Sequence, residues 1–465
     1  MARKGKNNNV LPFLQLASIN PLDGRYRNRI EELSKFVSEY ALIKTRIEVE
    51  IKYLLALSEH KIIRPISKKE KEVLLSLVEK FDLKSAQKVK EIEKETRHDV
   101  KACERFLREF IKKTSMKDLV EMIHFGLTSE DINNISYRLI LKRATNEVLI
   151  PTLEEIADNL IKISSQYKNL PMLARTHGQA AVPTTLGKEI AVYASRLKTQ
   201  ITKLTTSKLS GKLNGAVGNY NALKLAYPKV NWIKFSQKFV LSFSLIPNLI
   251  TTQINPYDDV AEYFQIIQRM NTILIDLNQD VWWYISDGWF VQSVKSGEVG
   301  SSTMPQKVNP IDFENSEGNL GMANSILEFM SRKLMISRLQ RDLSDSTVIR
   351  NIGTALGFSL VGYKSMITGL SRIRPNEEKI SEDLDKDWSI LTEAAQTILR
   401  KNGVKDSYYS ILKNTRGRIF KEEDWLSLVN SLPIKRDDKK LLLKLTPGSY
   451  LGLSEKLTDI VTIRK

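Results

Sequence analysis

Three long stretches almost free of helix breakers constrain the fold of this chain more than any other feature. Asp131 to Tyr167 contains one proline and no glycine, Gly187 to Leu209 has neither after its first residue, and Asp258 to Asp287 has neither at all. An uninterrupted helix of about thirty residues is about 45 Å long. That is too long for a small domain and suits a bundle whose apolar faces are shared between subunits. The pattern therefore predicts an all-α chain. Leu33, Phe36, Val37, Tyr40, Ile43 and Ile47 recur at three- and four-residue steps between Ile30 and Glu59, the spacing of an amphipathic helix, and more helix follows through Lys113. The segments lengthen near residues 114–128 and shorten again beyond Arg372, where Pro375, Pro433 and Pro447 punctuate them. Three helical domains are expected: an N-terminal one over residues 1–120, a central long-helix bundle over 121–371, and a small C-terminal one over 372–465. A chain of 465 residues has the length for them.

Lys and Arg outnumber Asp and Glu by 71 to 54, a formal net charge of +17 that draws in anions. The basic residues are spread along the chain, without a long basic block or an aromatic-basic ribbon, which argues against nucleic acid as the partner. No membrane segment is expected, because the apolar run Phe239 to Ile250 is broken by Pro247 and is too short to span a bilayer. The N-terminal MARKGKNNNVLPFLQLASI places basic residues before an apolar stretch, as a signal peptide does. Pro12, Gln15 and the direct run into Pro21 to Tyr26 instead read as a tail entering a turn. The single cysteine, Cys103, lies at roughly helical spacing with Val100, Phe106 and Phe110, so it is expected in the core and fits a reducing cytoplasm.

The densest polar chemistry lies in Gly297 to Asn319, GEVGSSTMPQKVNPIDFENSEGN. Gly297, Gly300, Ser301 and Ser302 let the backbone bend sharply and present amides and hydroxyls to a ligand, and Lys307, Asn309 and Glu314 follow closely. A hydroxyl-rich loop, a cation and a helix-borne acid are what proton removal beside a carboxylate needs. By composition alone, a Ser/Gly linker with a solvated lysine is the simpler alternative. Of the four histidines, His60 has no polar company and reads as surface. His177 sits in Ala174 to Ala180, a loop between Pro171 and the helix expected to open at Pro183-Thr184. Flanked by Thr176 and Gln179, it is a candidate for proton transfer. His124 precedes Thr128 and Asp131, whose capping-box spacing fits a plain helix cap and an anion-binding helix start equally. Arg97-His98-Asp99 is a weaker cluster. The glycines of Gly211 to Asn219 fit a close approach to a ligand or a simple turn. In Arg341 to Arg350, a serine at a helix start has arginines on either side, as a phosphate clamp would. Paired cysteines, an H-E-x-x-H run and clustered histidine spacing are missing, so no metal set emerges, and neither a P-loop nor a dinucleotide fingerprint is present.

Gly300 to Pro310 matches G-S-S-x-M-P-x-K-x-N-P at every specified position and resembles the signature loop of the fumarase/aspartase superfamily. Pro21 to Tyr26, Arg97 to Asp99, His124 to Asn134, Arg175 to Gln179, Lys212 to Asn219, Gln253, Gly300 to Asn319 and Arg341 to Arg350 occur in the order found in adenylosuccinate lyases. On these residues the chain resembles that family from about Pro21 to its C-terminus, most closely the enterobacterial-type branch. Gln306 departs from the histidine common there, and Arg97 from an asparagine.

The resemblance implies a cytoplasmic homotetramer acting on small-molecule nucleotides, in which β-elimination releases fumarate without a cofactor. It makes Ser301 the base, His177 the acid to the leaving nitrogen, Glu314 the group that orients His177, and Lys307 with Asn309 the holders of the succinyl carboxylates. Arg25, Tyr26, Ser346 and Arg350 would meet the phosphate, with Thr128, Ser129, Gln253 and Arg341 completing the shell. Arg97, His98, Asp99, His124, Ser302, Asn315 and Thr347 fall among the substrate contacts by the same resemblance. Argininosuccinate lyase, with the same loop, is the rival within the superfamily, although it would leave the phosphate residues idle. A basic RNA-binding or structural protein is the remote one.

Overall fold

The helix Asp258–Ser286 runs for 29 residues without proline or glycine, and Leu186–Thr206, Ile311–Leu334 and Ile352–Leu370 are further long helices. A computed structural model describes residues 14–463 apart from 295, 296, 298–302, 305 and 416. Among these residues the regular elements are helices, apart from three two-stranded sheets, so the expected all-α class is the observed one. The Asp131 to Tyr167 stretch is one continuous helical run: an α-helix Ser129–Ala144, one π turn at Thr145–Leu149, and an α-helix Ile150–Gln166. Pro151, which cannot donate the N–H that a regular helix uses, is the second residue after the wide turn.

The chain divides into two compact units. One comprises Met1–Thr152, Gln200–Thr272 and Gly318–Lys364, the other Leu153–Thr199, Ile273–Glu317 and Ser365–Lys465. In the first unit, helices Glu39–Glu59, Lys68–Glu79, Leu83–Thr96 and Asp99–Ile111 enclose a core of Ile43, Ile47, Ile51, Leu54, Leu74, Val89, Cys103, Phe106 and Leu107. Each fully buried Leu, Ile or Phe contributes about 1.5–3 kcal/mol. The helix starts are written locally. Glu70 returns a carboxylate to the Ser67 N–H at 2.9 Å, Asp82 accepts from the Ser85 N–H at 2.8 Å, and His98 Nδ1 accepts from the Lys101 N–H at 3.2 Å. Cys103 is buried as its spacing predicts, and burial pushes its thiol up to about 12, away from thiolate chemistry.

Two expectations for this unit need correction. Short turns lead to Val37, and the helix proper, Glu39–Glu59, is buried around most of its circumference rather than amphipathic, enclosing even Thr45, Arg46 and Glu50. These charges are tolerated because other elements answer them. Arg46 reaches Asp99 at 2.7 Å and Asn133 at 2.9 Å, and Glu50 reaches His124 at 2.6 Å. His60 is half-buried rather than on the surface. It stands edge-on to Phe235 with centroids 4.9 Å apart, and its Nδ1 lies 2.9 Å from the Ala56 carbonyl.

In the second unit, Pro171–Thr176 and Gln179–Thr185 form an antiparallel ribbon. Pro183 therefore does not open a helix; it pairs with Leu173, and the helix begins at Leu186. Gly187 is required by proximity, since a Cβ there would lie 2.3 Å from the Ser164 carbonyl oxygen and 2.5 Å from Lys168 Cα. Trp289 Nε1 donates to Asp383 at 2.8 Å, and the Arg175 guanidinium lies over the Trp289 ring at 5.2 Å.

The first unit also holds a fully buried ion pair, Lys212 Nζ to Asp131 Oδ1 at 3.1 Å. Asp131 accepts further hydrogen bonds from the backbone N–H of Thr128 at 2.9 Å, Asn214 at 3.0 Å and Gly215 at 3.2 Å. Removing one partner of a buried pair strands the other charge, at a cost of about 3–5 kcal/mol. Lys212→Met should therefore lower the urea midpoint by an equivalent amount, whereas a loss below about 1 kcal/mol would show that the backbone amides suffice for Asp131.

Candidate active site

The site residues expected from the sequence divide between the two units. Arg25, Tyr26, Arg97, His98, Asp99, His124, Thr128, Ser129, Gln253, Arg341, Ser346, Thr347 and Arg350 fall in the first, and His177, Lys307, Asn309, Glu314 and Asn315 in the second. Ser301 and Ser302, expected as the base and its neighbour, lie outside the described residues.

In the first unit, Arg97 ends helix Leu83–Thr96 with a left-handed backbone, φ 51°. The next residue caps the following helix: while His98 Nδ1 accepts the Lys101 N–H, its Nε2 stands 3.4 Å from Ser129 Oγ. Asp99 lies between two guanidiniums, 2.7 Å from Arg46 and 2.7 Å from Arg350. Burial alone would raise its carboxyl, but Arg46 and Arg350 reverse this and hold it well below the usual carboxylate range. Arg350 keeps 39% of its side chain exposed, so Asp99 anchors a cation that still faces outward. That is how an anion contact is prepared in advance.

His124 also takes a positive φ, 57°. Burial would lower its pKa, and the adjacent Glu50 carboxylate overrides that and raises it, which favours the imidazolium. Thr128 is the N-cap of the helix Ser129–Ala144, and its N–H donates to Asp131 at 2.9 Å, as the spacing predicts for a helix start. Gln253 donates to the Ala216 carbonyl at 3.0 Å. The nearby glycines follow the simple-turn alternative. Gly218 has φ +80°, and a Cβ there would lie 2.1 Å from the Thr251 carbonyl oxygen, so the close approach is to the chain itself. The Gly215 N–H is committed to Asp131.

Arg25 is exposed in a turn closed by the Tyr26 N–H on the Pro21 carbonyl at 2.9 Å. Ser346 is half-buried and Thr347 exposed on the short helix Ser344–Ile349. The serine expected to cap this helix instead begins it: Leu343 holds the cap position without a side-chain bond, and Asp342, one residue earlier, accepts the Ser344 N–H at 2.7 Å. Arg341 Nη2 lies 3.5 Å from Glu130 Oε2. The sequence does not mark Glu130 and Lys212 as buried ions, because a helix-start acid and a lysine in a glycine loop ordinarily face solvent. Nothing in their spacing marks them as buried.

In the second unit, His177 and Gly178, at φ 54° and 72°, are the two central residues of the ribbon's tight turn. Positive φ at both is what a type I′ hairpin turn requires, and it leaves His177 exposed at the tip. Glu314 accepts from Trp282 Nε1 at 3.2 Å, and among the described residues no hydrogen bond joins it to His177. Asn315 accepts from Ser365 Oγ at 2.7 Å. Lys307 is exposed, with its N–H on the Met304 carbonyl at 3.1 Å, and Asn309 is half-buried.

Because Asp99 is ionised more readily in the folded than in the unfolded chain, it adds stability above the ordinary carboxylate pKa and loses it as the pH falls. The midpoint difference between wild type and Asp99→Asn should be full near neutrality and shrink below about pH 4. A difference constant through that range in urea titrations would remove charge as the cause.

A family model described as lyase matches residues 24–324, and one described as adenylosuccinate lyase C-terminal matches residues 337–451. The adenylosuccinate lyase of Buchnera aphidicola subsp. Baizongia pistaciae is 45% identical over 449 residues, 96% of this chain and 97% of that one. The adenylosuccinate lyases of Haemophilus influenzae and Escherichia coli K12 are 44% and 42% identical, each over 96% of this chain and 98% of their own. Among solved structures, the fumarate lyase from Mesorhizobium sp. BNC1 superposes with a TM-score of 0.75 at 17% identity, covering 94% of this chain and 98% of that one. That likeness concerns the fold. The identities extend over nearly the whole length, and on them this chain belongs to the adenylosuccinate lyase family.

Proposed function

We propose that this protein is the adenylosuccinate lyase of purine nucleotide biosynthesis, eliminating fumarate from adenylosuccinate to give AMP and from succinyl-aminoimidazole carboxamide ribotide. The observation that carries this is the identity of 42–45% to enzymes of that name over 96% of the chain. Both substrates are polyanions and suit a protein of net charge +17.

In this elimination a base takes a proton from the succinyl carbon beside a carboxylate. The freed electron pair becomes the new C=C bond, the C–N bond breaks, and an acid protonates the leaving nitrogen. Ser301 is the base in this scheme, with its alkoxide stabilised by backbone amides of its glycine-rich loop and by Lys307. His177, carried outward on its ribbon tip, supplies the proton to nitrogen, and Glu314 fixes its tautomer. Lys307 and Asn309 hold the carboxylates, while Arg25, Tyr26, Ser346 and Arg350 receive the phosphate. The proton and the electron pair stay with substrate and side chains, so the chemistry itself calls for neither metal nor redox cofactor. Nucleotide substrates suit a cytoplasmic enzyme; among the described residues no helix is long and apolar enough to cross a membrane.

The assembly that fits is a homotetramer whose sites draw residues from different subunits. Trp283, Met322 and Phe329 are exposed on the long helices, and apolar faces of this kind are covered in subunit bundles. Trp282 Nε1 occupies Glu314 Oε1, and the other carboxylate oxygen is the one this scheme gives to a His177 from another copy.

Adenylosuccinate mixed with the protein should give an ultraviolet absorbance change and stoichiometric fumarate; no fumarate would overturn the assignment. His177→Gln should lower turnover at least about a hundredfold without unfolding the chain, and turnover within a few-fold of wild type would remove His177 from the mechanism. Inactive His177→Gln and Ser301→Ala proteins, dissociated and reassembled together, should regain partial activity. No recovery in mixed tetramers identified by native mass spectrometry would assign both groups to one chain.

A further inference from the structure

The scheme above makes no use of Glu130, the second residue of the helix Ser129–Ala144. Its side chain is 2% exposed, and its Oε1 is buried without a hydrogen-bond partner among the described residues. Oε2 faces Arg341 Nη2 at 3.5 Å, and the same Nη2 stands 3.9 Å from Asp345 Oδ1. Both separations are too long for strong hydrogen bonds. Arg341 Nε and Asp345 Oδ1 are likewise buried and unpartnered among the described residues. The neighbouring cations are already committed, Lys212 to Asp131 at 3.1 Å and Arg138 to Asp259 at 3.0 Å. Tyr257, which faces the same space, presents its hydroxyl 3.4 Å from Asp345.

Two buried carboxylates, Glu130 and Asp345, thus share one cation, Arg341. Such a group carries one negative charge too many unless a carboxylate holds a proton. Burial, helped by Asp345, pushes Glu130 up to about 7 against the pull of Arg341, Lys212 and Arg138. An anion arriving at Arg341 makes the ionised form of Glu130 still less favourable.

We propose that Glu130 is a proton-coupled positioning residue: as a carboxylate it holds Arg341 in the empty site, and it takes a proton from solvent and releases Arg341 when the substrate phosphate binds there. The proposal rests on the reading that Arg341 contacts the substrate. Below pH about 7 Glu130 is already protonated and binding needs no proton. Above it each binding event must take one up, so affinity falls up to about tenfold per pH unit, while the substrate phosphate, with a second pKa of about 6, is already fully ionised.

The experiment measures KM and kcat for adenylosuccinate from about pH 6 to 9 in wild type, Glu130→Gln and Glu130→Asp. Wild-type KM should rise above neutrality; Glu130→Gln, permanently uncharged, should flatten that rise, with the change falling on KM rather than kcat; and Glu130→Asp should restore it. A Glu130→Gln profile parallel to wild type overturns the proposal. A second measurement needs no variant. Calorimetry of AMP binding at about pH 8, where AMP phosphate is fully ionised, in buffers of different ionisation enthalpy should report close to one proton taken up, and zero uptake overturns the proposal. Wild type that releases no fumarate overturns the functional assignment and this inference with it. Fumarate release with unchanged pH dependence in Glu130→Gln overturns this inference alone.

Discussion

The buried carboxylate of Asp131 is the constraint on which the first unit's site depends. A charge at full burial is tolerated only when its lone pairs are satisfied, and here the donors come from two separated stretches of chain: Thr128 at the helix start, and Lys212, Asn214 and Gly215 in the glycine loop. Asn134, three residues further along the helix, repeats the link. Its side chain receives the Lys212 N–H at 2.9 Å and donates to the Lys212 carbonyl at 3.1 Å. The loop therefore cannot shift without exposing an uncompensated ion, and Thr128, Ser129 and Glu130 inherit that rigidity.

The same logic sorts the positive charge. Arg46, Arg138 and Lys212 are spent on interior acids, whereas Arg350 is anchored by Asp99 and still reaches solvent. The net charge of +17 supplies a general field that attracts anions, but recognition at short range needs guanidiniums whose orientation is settled before the ligand arrives, because ordering a long side chain on binding costs about 0.5–1.5 kcal/mol. The half-buried Asp99 carboxylate provides that ordering for Arg350 during folding.

Much of the fold was legible because helix length follows from the spacing of glycine and proline, and the long runs at Gly187 and Asp258 became helices within a few residues of their expected ends. The ribbon carrying His177 was not legible. Its strands contain Pro171 and Pro183, residues that usually bound a segment, and both are accommodated within the pairing. The ordered motifs located the candidate residues, since each is a short run with its own local chemistry. Glu130, Asp345 and Lys212 were invisible because burial of an ionisable group is decided by partners far away in sequence, and spacing carries no trace of it.

Arg97, His124 and His177 share one further property: each adopts a left-handed backbone, with φ of 51°, 57° and 54°. For residues with a side chain that conformation costs about 1–2 kcal/mol, and glycine would occupy it without the penalty. At His124 the exchange would not stabilise the fold, because it would strand the buried Glu50 carboxylate 2.6 Å away. His177, exposed at the ribbon tip, answers no buried charge among the described residues, so a lineage selected only for durability would trade it for glycine, and under the proposed mechanism that well-folded descendant would lack its acid.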